Sequence, residues 1–184
     1  MGNLITNQKT FLSEVINNIL PKSENIYFLV GYFYFSGIQE IYEKLENKKI
    51  QILVGMDIEK DLSNKIREFE LLDEQDRSRI LIRESFYNSF VELFNETDYF
   101  DSIKKQEAFK FFLIKIQNGS LEIRKTLKPN HAKMYIFENK PENNEGGQYP
   151  GPVIIGSSNL SRSGLEGRME INTILRDKTS FEEA

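Results

Sequence analysis

The chain has 184 residues, with 24 basic and 28 acidic side chains, one histidine, no cysteine and no tryptophan. Without thiols it holds no disulfide framework, no thiolate zinc site and no iron–sulfur cluster, and it has no cysteine nucleophile. Its 39% hydrophobic and 28% charged residues suit one globular domain over 1–184, and no apolar run is long enough to cross a bilayer or act as a secretory signal, so the expected compartment is the cytoplasm.

In chain order, the opening MGNLIT fits the N-myristoylation pattern through Gly2 and Thr6, but nothing nearby supplies the second signal that stable anchoring needs. Between Thr10 and Leu20, the residues Phe11, Leu12, Val15, Ile16 and Ile19 fall at helical spacing, and Pro21 then ends the run. The segment NIYFLVGYFYF (25–35) is a β-branched and aromatic run that predicts a buried strand, passing through Ser36-Gly37 into a helix over 37–47. A second strand follows at KIQILVG (49–55), so strand, helix and strand suggest a parallel βαβ unit. From about 60 to 118 the periodicity is helical, with Ile66, Phe69 and Leu72, then Phe109, Phe112, Leu113 and Ile116, as apolar stripes. Asn118-Gly119 stops it.

The last third reads as strands at SLEIRKT (120–126), HAKMYIFE (131–138), VIIG (153–156) and MEINTILR (169–176). Between the second and third of these, the polar Gly/Pro-rich run 138–151 marks an exposed hairpin loop. The fold class is α/β, a mixed sheet flanked by helices in a single domain. TSFEEA closes the chain without a stopping structure, which leaves open a longer protein beyond Ala184.

Charge is uneven along the chain. Residues 1–102 carry 11 basic and 18 acidic side chains, residues 103–133 carry 8 and 2, and residues 134–184 carry 5 and 8. A basic stretch inside a protein of net charge −4 can focus an anion locally, or simply be a solvated lysine-rich face.

The candidate chemistry lies between 131 and 172. Two residues apart on an extended strand, His131 and Lys133 project from one face. The apolar VIIG runs into Ser157, Ser158 and Asn159, whose small polar side chains and turn N–H groups suit an oxyanion or phosphate. Glu170 and Asn172 share a face of the final strand. An imidazole, an ammonium, an amide with two hydroxyls and a carboxylate fit phosphodiester chemistry, with the imidazole as nucleophile, lysine and asparagine neutralising the phosphoryl oxygens, and no metal or other cofactor required.

His131-Ala132-Lys133 followed by Gly156-Ser157-Ser158-Asn159 resembles the HxK and GSxN halves of the phospholipase D superfamily motif. The resemblance implies a phospholipase D-like α/β fold and a phosphohistidine at His131. It further implies that Lys133, Ser157 and Asn159 hold the phosphate and that Glu170, 11 residues after Asn159, is the acid supporting the histidine. Where that family usually has aspartate, this chain has Glu138, a position generally structural, and the loop before Gly156 is long enough to cover or fringe the site. One motif copy supplies one histidine, so a two-histidine mechanism requires a homodimer. Single-copy members are mostly bacterial endonucleases, restriction enzymes and nuclease-like domains ahead of helicases, which points to DNA as substrate and to no membrane partner.

Four functions are thereby in play. The first is a metal-independent DNA endonuclease of restriction or helicase-associated type. The second is a catalytically silent DNA-binding or targeting domain of a helicase, the third a lipid-headgroup phosphodiesterase. The fourth is a magnesium-dependent nuclease using Asp57 and Glu59, residues that read more simply as a polar strand-end loop. Phe109, Phe111 and Phe112 read as core, and no helix-turn-helix or zinc-finger signature indicates sequence recognition.

Overall fold

In the run SENIYFLVGYF, Ile26, Phe28 and Val30 turn to one side and are buried, whereas Tyr27 and Leu29 turn to the other and remain partly open. That alternation makes β2 (Ser23–Phe33) a central strand of the sheet in this computed structural model, which describes residues 3–58 and 102–184. Before it come β1 (Leu4–Ile5) and α1 (Leu12–Ile19). After it come α2 (Phe35–Gln39), β3 (Lys49–Ile58), α3 (Ile103–Gln117) and β4 (Leu121–Lys125). The last third supplies β5 (Met134–Asn139), β6 (Val153–Gly156), β7 (Asn172–Leu175) and α4 (Lys178–Glu183).

The strands form one sheet in the order β1-β7-β6-β5-β2-β3-β4. β2, β3 and β4 run parallel, which is the expected βαβ arrangement, and β5, β6 and β7 follow one another antiparallel. The mixed α/β sheet expected from the sequence is therefore the observed architecture. Leu12 and Ile16 of α1, Ile38 of α2, and Phe109 and Phe112 of α3 belong to the same buried cluster as the inward residues of the sheet. Phe33 stacks on Phe112 at 6.4 Å, and Phe35 meets Phe109 and Phe112 edge-on at 5.6 Å. Burying a phenylalanine contributes roughly 1.5–3 kcal/mol, so this aromatic seam fixes α3 and confirms those rings as core. The opposite face keeps Leu4, Leu53 and Ile155 exposed.

Several boundaries differ from the sequence reading. The helix expected over 37–47 breaks after α2, at Ile41, and resumes as the 3-10 turn Tyr42–Lys44; Ile38, Ile41 and Leu45 still reach the core, so the apolar spacing is met by two short turns. Pro21 sits inside a 3-10 turn, Leu20–Lys22, that prolongs α1. The strand expected from His131 begins at Met134, and the one expected from Met169 begins at Asn172. β1 and α4 carried no sequence expectation. The loop after β5 lies at the end of that strand remote from His131, about 20 Å away along six extended residues, with Lys140 N–H donating to Lys22 O. It does not fringe the site. Gly2, Glu59, and the stripe of Ile66, Phe69 and Leu72 lie outside the described residues.

Candidate active site

Parallel strands leave their carboxyl ends open at one edge of a sheet, and here the amino end of β5 and the carboxyl end of β6 reach the same edge. Two backbone irregularities shape that edge. The pairing of β2 with β3 shifts between Val30 and Tyr32, so that Tyr32 pairs with Asp57, and such a shift redirects a strand's groups. Tyr32 N–H donates to Asn159 Oδ1 at 2.9 Å. The second is the segment after β4, which crosses directly over Gly55. Asn130 N–H donates to Gly55 O at 2.9 Å, Asn130 Oδ1 takes Ala132 N–H at 2.7 Å, and a β-carbon on Gly55 would collide with Asn130 O. The backbone entering His131 is thus held by contacts that only glycine at 55 permits.

On this frame, His131 is exposed and Lys133 is buried. The Lys133 ammonium lies 2.7 Å from His131 Nδ1 and 3.2 Å from Nε2, and donates to His131 O at 2.6 Å. A nitrogen that accepts from an ammonium is the unprotonated one of the ring. The two side chains meet, although both residues precede the strand expected to carry them. Burial lowers the Lys133 pKa, and the charge of Glu170 acts in the opposite direction.

Asn159 stands across Gly31 from this pair. A β-carbon placed on Gly31 would lie 3.2 Å from Asn159 Oδ1 and 3.4 Å from both His131 Cδ2 and Lys133 Nζ, so three site groups converge on a position where only hydrogen fits freely. Because Asn159 Oδ1 is taken by Tyr32 N–H, its Nδ2 hydrogens are the ones left to donate. The Tyr32 ring meets His131 edge-on at 6.2 Å. Sequence reasoning missed Gly31 and Tyr32; the signal available was a glycine interrupting an aromatic strand.

Ser157 and Glu170 form a second group. Ser157 Oγ donates to Glu170 Oε2 and accepts from Ile171 N–H at 3.0 Å. Its proton is therefore committed to Glu170. Glu170 makes no hydrogen bond to His131 among the described residues; its link to the pair is the electrostatic one with Lys133. Ser158 is a buried brace, taking Asn172 Nδ2–H on its hydroxyl at 2.9 Å, giving its N–H to Asn172 Oδ1 at 3.3 Å and accepting from Tyr135 O–H at 2.9 Å. Glu138 lies far from these groups, accepting from Asn25 and Tyr27, which fits a structural position.

Four of the eight basic residues of the stretch 103–133 are engaged within the fold. Lys115 is buried and donates to Lys48 O, Arg124 pairs with Glu122, Lys104 pairs with Glu40, and Lys133 enters the site. Among the described residues no cluster of three His, Asp or Glu side chains is placed to hold a metal, and no helix is long and apolar enough to cross a membrane.

Compared with known families, residues 15–184 match the one described as cardiolipin synthase, PLD-like domain. No curated protein matches the chain. Among solved structures, the polyphosphate kinase from Porphyromonas gingivalis superposes with a TM-score of 0.51 at 14% identity, covering 100% of this chain and 21% of that one. Identity so low speaks for the fold alone, and the chain spans about a fifth of the kinase. The family match over nearly the whole chain, the mixed sheet and a histidine–lysine pair opposite an asparagine agree with one another: the chain belongs to the phospholipase D-like family, whose chemistry is that of phosphate esters.

Proposed function

We propose that the protein is a metal-independent phosphodiesterase acting on DNA, through a phosphohistidine at His131 in a site shared by two copies of the chain. The observation that carries this reading is the convergence of His131, buried Lys133 and Asn159 on Gly31. A phosphate drawn to Lys133 and Asn159 Nδ2 separates the ammonium from the imidazole. The ring nitrogen so released attacks phosphorus: the P–N bond forms, the P–O bond to the leaving group breaks, and the departing oxygen takes a proton. That proton needs a second imidazole, and this chain has one histidine, so a second copy supplies it. Water then attacks the phosphohistidine, giving its proton back to the same imidazole and releasing the phosphate monoester.

A helicase-associated nuclease in the cytoplasm, which meets unwound strands, is the setting this reading fits. A DNA-targeting domain without turnover is the alternative, and the assembled histidine–lysine–asparagine set favours turnover over it. Hydrolysis of DNA and of bis(p-nitrophenyl) phosphate is expected to survive EDTA, to vanish in His131→Ala, and to leave an acid-labile phosphoryl adduct trappable on His131. Full activity of His131→Ala, or abolition by EDTA, ends the proposal.

A further inference from the structure

Beside the phosphate position lies a cleft of about 440 Å³ whose lining includes Asn159, Glu170, Arg168, Ser36, Tyr32 and Tyr34. Tyr32 and Tyr34 flank Phe33, whose side chain is fully buried, so alternation turns both tyrosines away from the core and onto the cleft. Tyr34 is 42% exposed and its phenol has no hydrogen-bond partner among the described residues. Arg168 is exposed, and its guanidinium has neither an ion pair nor a hydrogen bond among them. One carboxylate, Glu170, and one cation, Arg168, line this cleft.

An open aromatic face and a free guanidinium, both next to a phosphate-binding asparagine, form the combination that holds a single nucleic-acid strand: a base stacks on the ring and the adjoining phosphate meets the cation. In a duplex the base faces are covered by their neighbours, so a tyrosine face can receive only an unpaired base.

We infer that this cleft binds the nucleotide flanking the scissile phosphate, its base on Tyr34 and its next phosphate on Arg168, so that the substrate class is single-stranded polynucleotide. The inference rests on the phosphodiesterase reading for the position of the scissile phosphate. It is tested by fluorescence anisotropy in the His131→Ala background, with short labelled oligomers of thymidine, of uridine and of the abasic backbone at equal length. Tyr34→Ala is expected to weaken binding of the base-bearing oligomers about tenfold, with the abasic one unaffected, and Tyr34→Phe to retain the wild-type affinity. Arg168→Gln is expected to weaken all three and to reduce the slope of log K against log salt by about 0.7. Preference between thymidine and uridine oligomers assigns DNA or RNA, and equal binding assigns both.

Equal losses on base-bearing and abasic oligomers in Tyr34→Ala, an unchanged salt slope in Arg168→Gln, or tighter binding of duplex than of single strand overturns the inference. Turnover of bis(p-nitrophenyl) phosphate by the wild type judges the catalytic reading separately. Turnover without base-dependent binding removes only this inference, and base-dependent binding without turnover removes only that reading.

Discussion

Burial pulls the Lys133 ammonium below its ordinary pKa of 10.5, while the negative charge of Glu170 pulls it back up. In the unfolded chain the amine keeps its proton up to 10.5; in the fold it gives it up earlier. Charged Lys133 therefore costs stability at neutral pH, and that cost is relieved as pH rises from the folded value toward the unfolded one. Catalysis runs the other way, because a phosphate is held by the ammonium and not by the amine. The alkaline limb of kcat/KM is expected to begin below pH 10.5, and Glu170→Gln, which removes the opposing charge, is expected to move that limb to lower pH. A pH–rate series on bis(p-nitrophenyl) phosphate checks this, and a limb that stays put or moves upward in Glu170→Gln rejects it. His131, Lys133 and Asn159 were legible as residues because each contributes a chemical group that a motif can carry. Gly31 and Tyr32 were not, since one contributes the absence of a β-carbon and the other a backbone N–H freed by a shift in strand pairing.

At the scale of elements, β5 is tied to the turn after β6 and to β7 through one polar relay. Tyr135, fully buried in β5, donates to Ser158 O, while the N–H and hydroxyl of Ser158 engage the side-chain amide of Asn172 in β7. Burial drives the phenol's pKa far upward, so it remains a donor at any pH the fold survives. Tyr135→Phe preserves the ring and leaves a buried carbonyl without its partner, a loss of about 1–3 kcal/mol. For a chain of this size each 1 kcal/mol lowers Tm by roughly 2–4 °C, and thermal melting of the variant is expected to show that drop; an unchanged Tm defeats the relay's importance. Such ties also explain which elements were legible. β2, β3 and β6 announce themselves because their own side chains alternate or are all apolar. The residues 131–133 alternate just as well, yet the backbone ahead of them is pinned by Gly55 and by the Asn130 side chain instead of pairing as a strand, a choice made by contacts distant in sequence. β1 has two residues, too few to carry a pattern, and exists because β7 offers it an edge.

Across the whole molecule, apolar surface gathers beside the site. Ile155 precedes Ser157 by two residues and is 44% exposed, while Met169 and Ile171, 68% and 58% exposed, flank Glu170. Leu4 and Ile155 both pair through Thr173, which places them on one open face of the sheet together with Ile171. Leu53, Leu29 and Met134 continue that face toward β3 through the pairings of Met134 with Ile155 and with Leu29, and of Leu29 with Leu53. Isologous association about a twofold axis buries the same patch on both copies, and a twofold axis near Ile171 would set two phosphate sites side by side, as the proposed two-histidine mechanism requires. The functional consequence is sharper than oligomeric state alone. If each turnover needs an imidazole from both copies, a heterodimer containing one His131→Ala chain is inactive. After subunit exchange, a ninefold excess of His131→Ala is expected to reduce the activity of a fixed amount of wild type to about one tenth, because few wild-type chains then find one another. The doubly substituted His131→Ala, Ile171→Asp, which carries a charge into that face, is expected to leave wild-type activity untouched at the same excess. Wild-type activity that survives the His131→Ala excess in full, after exchange has been verified by a labelled subunit, shows that one histidine suffices and removes the shared site.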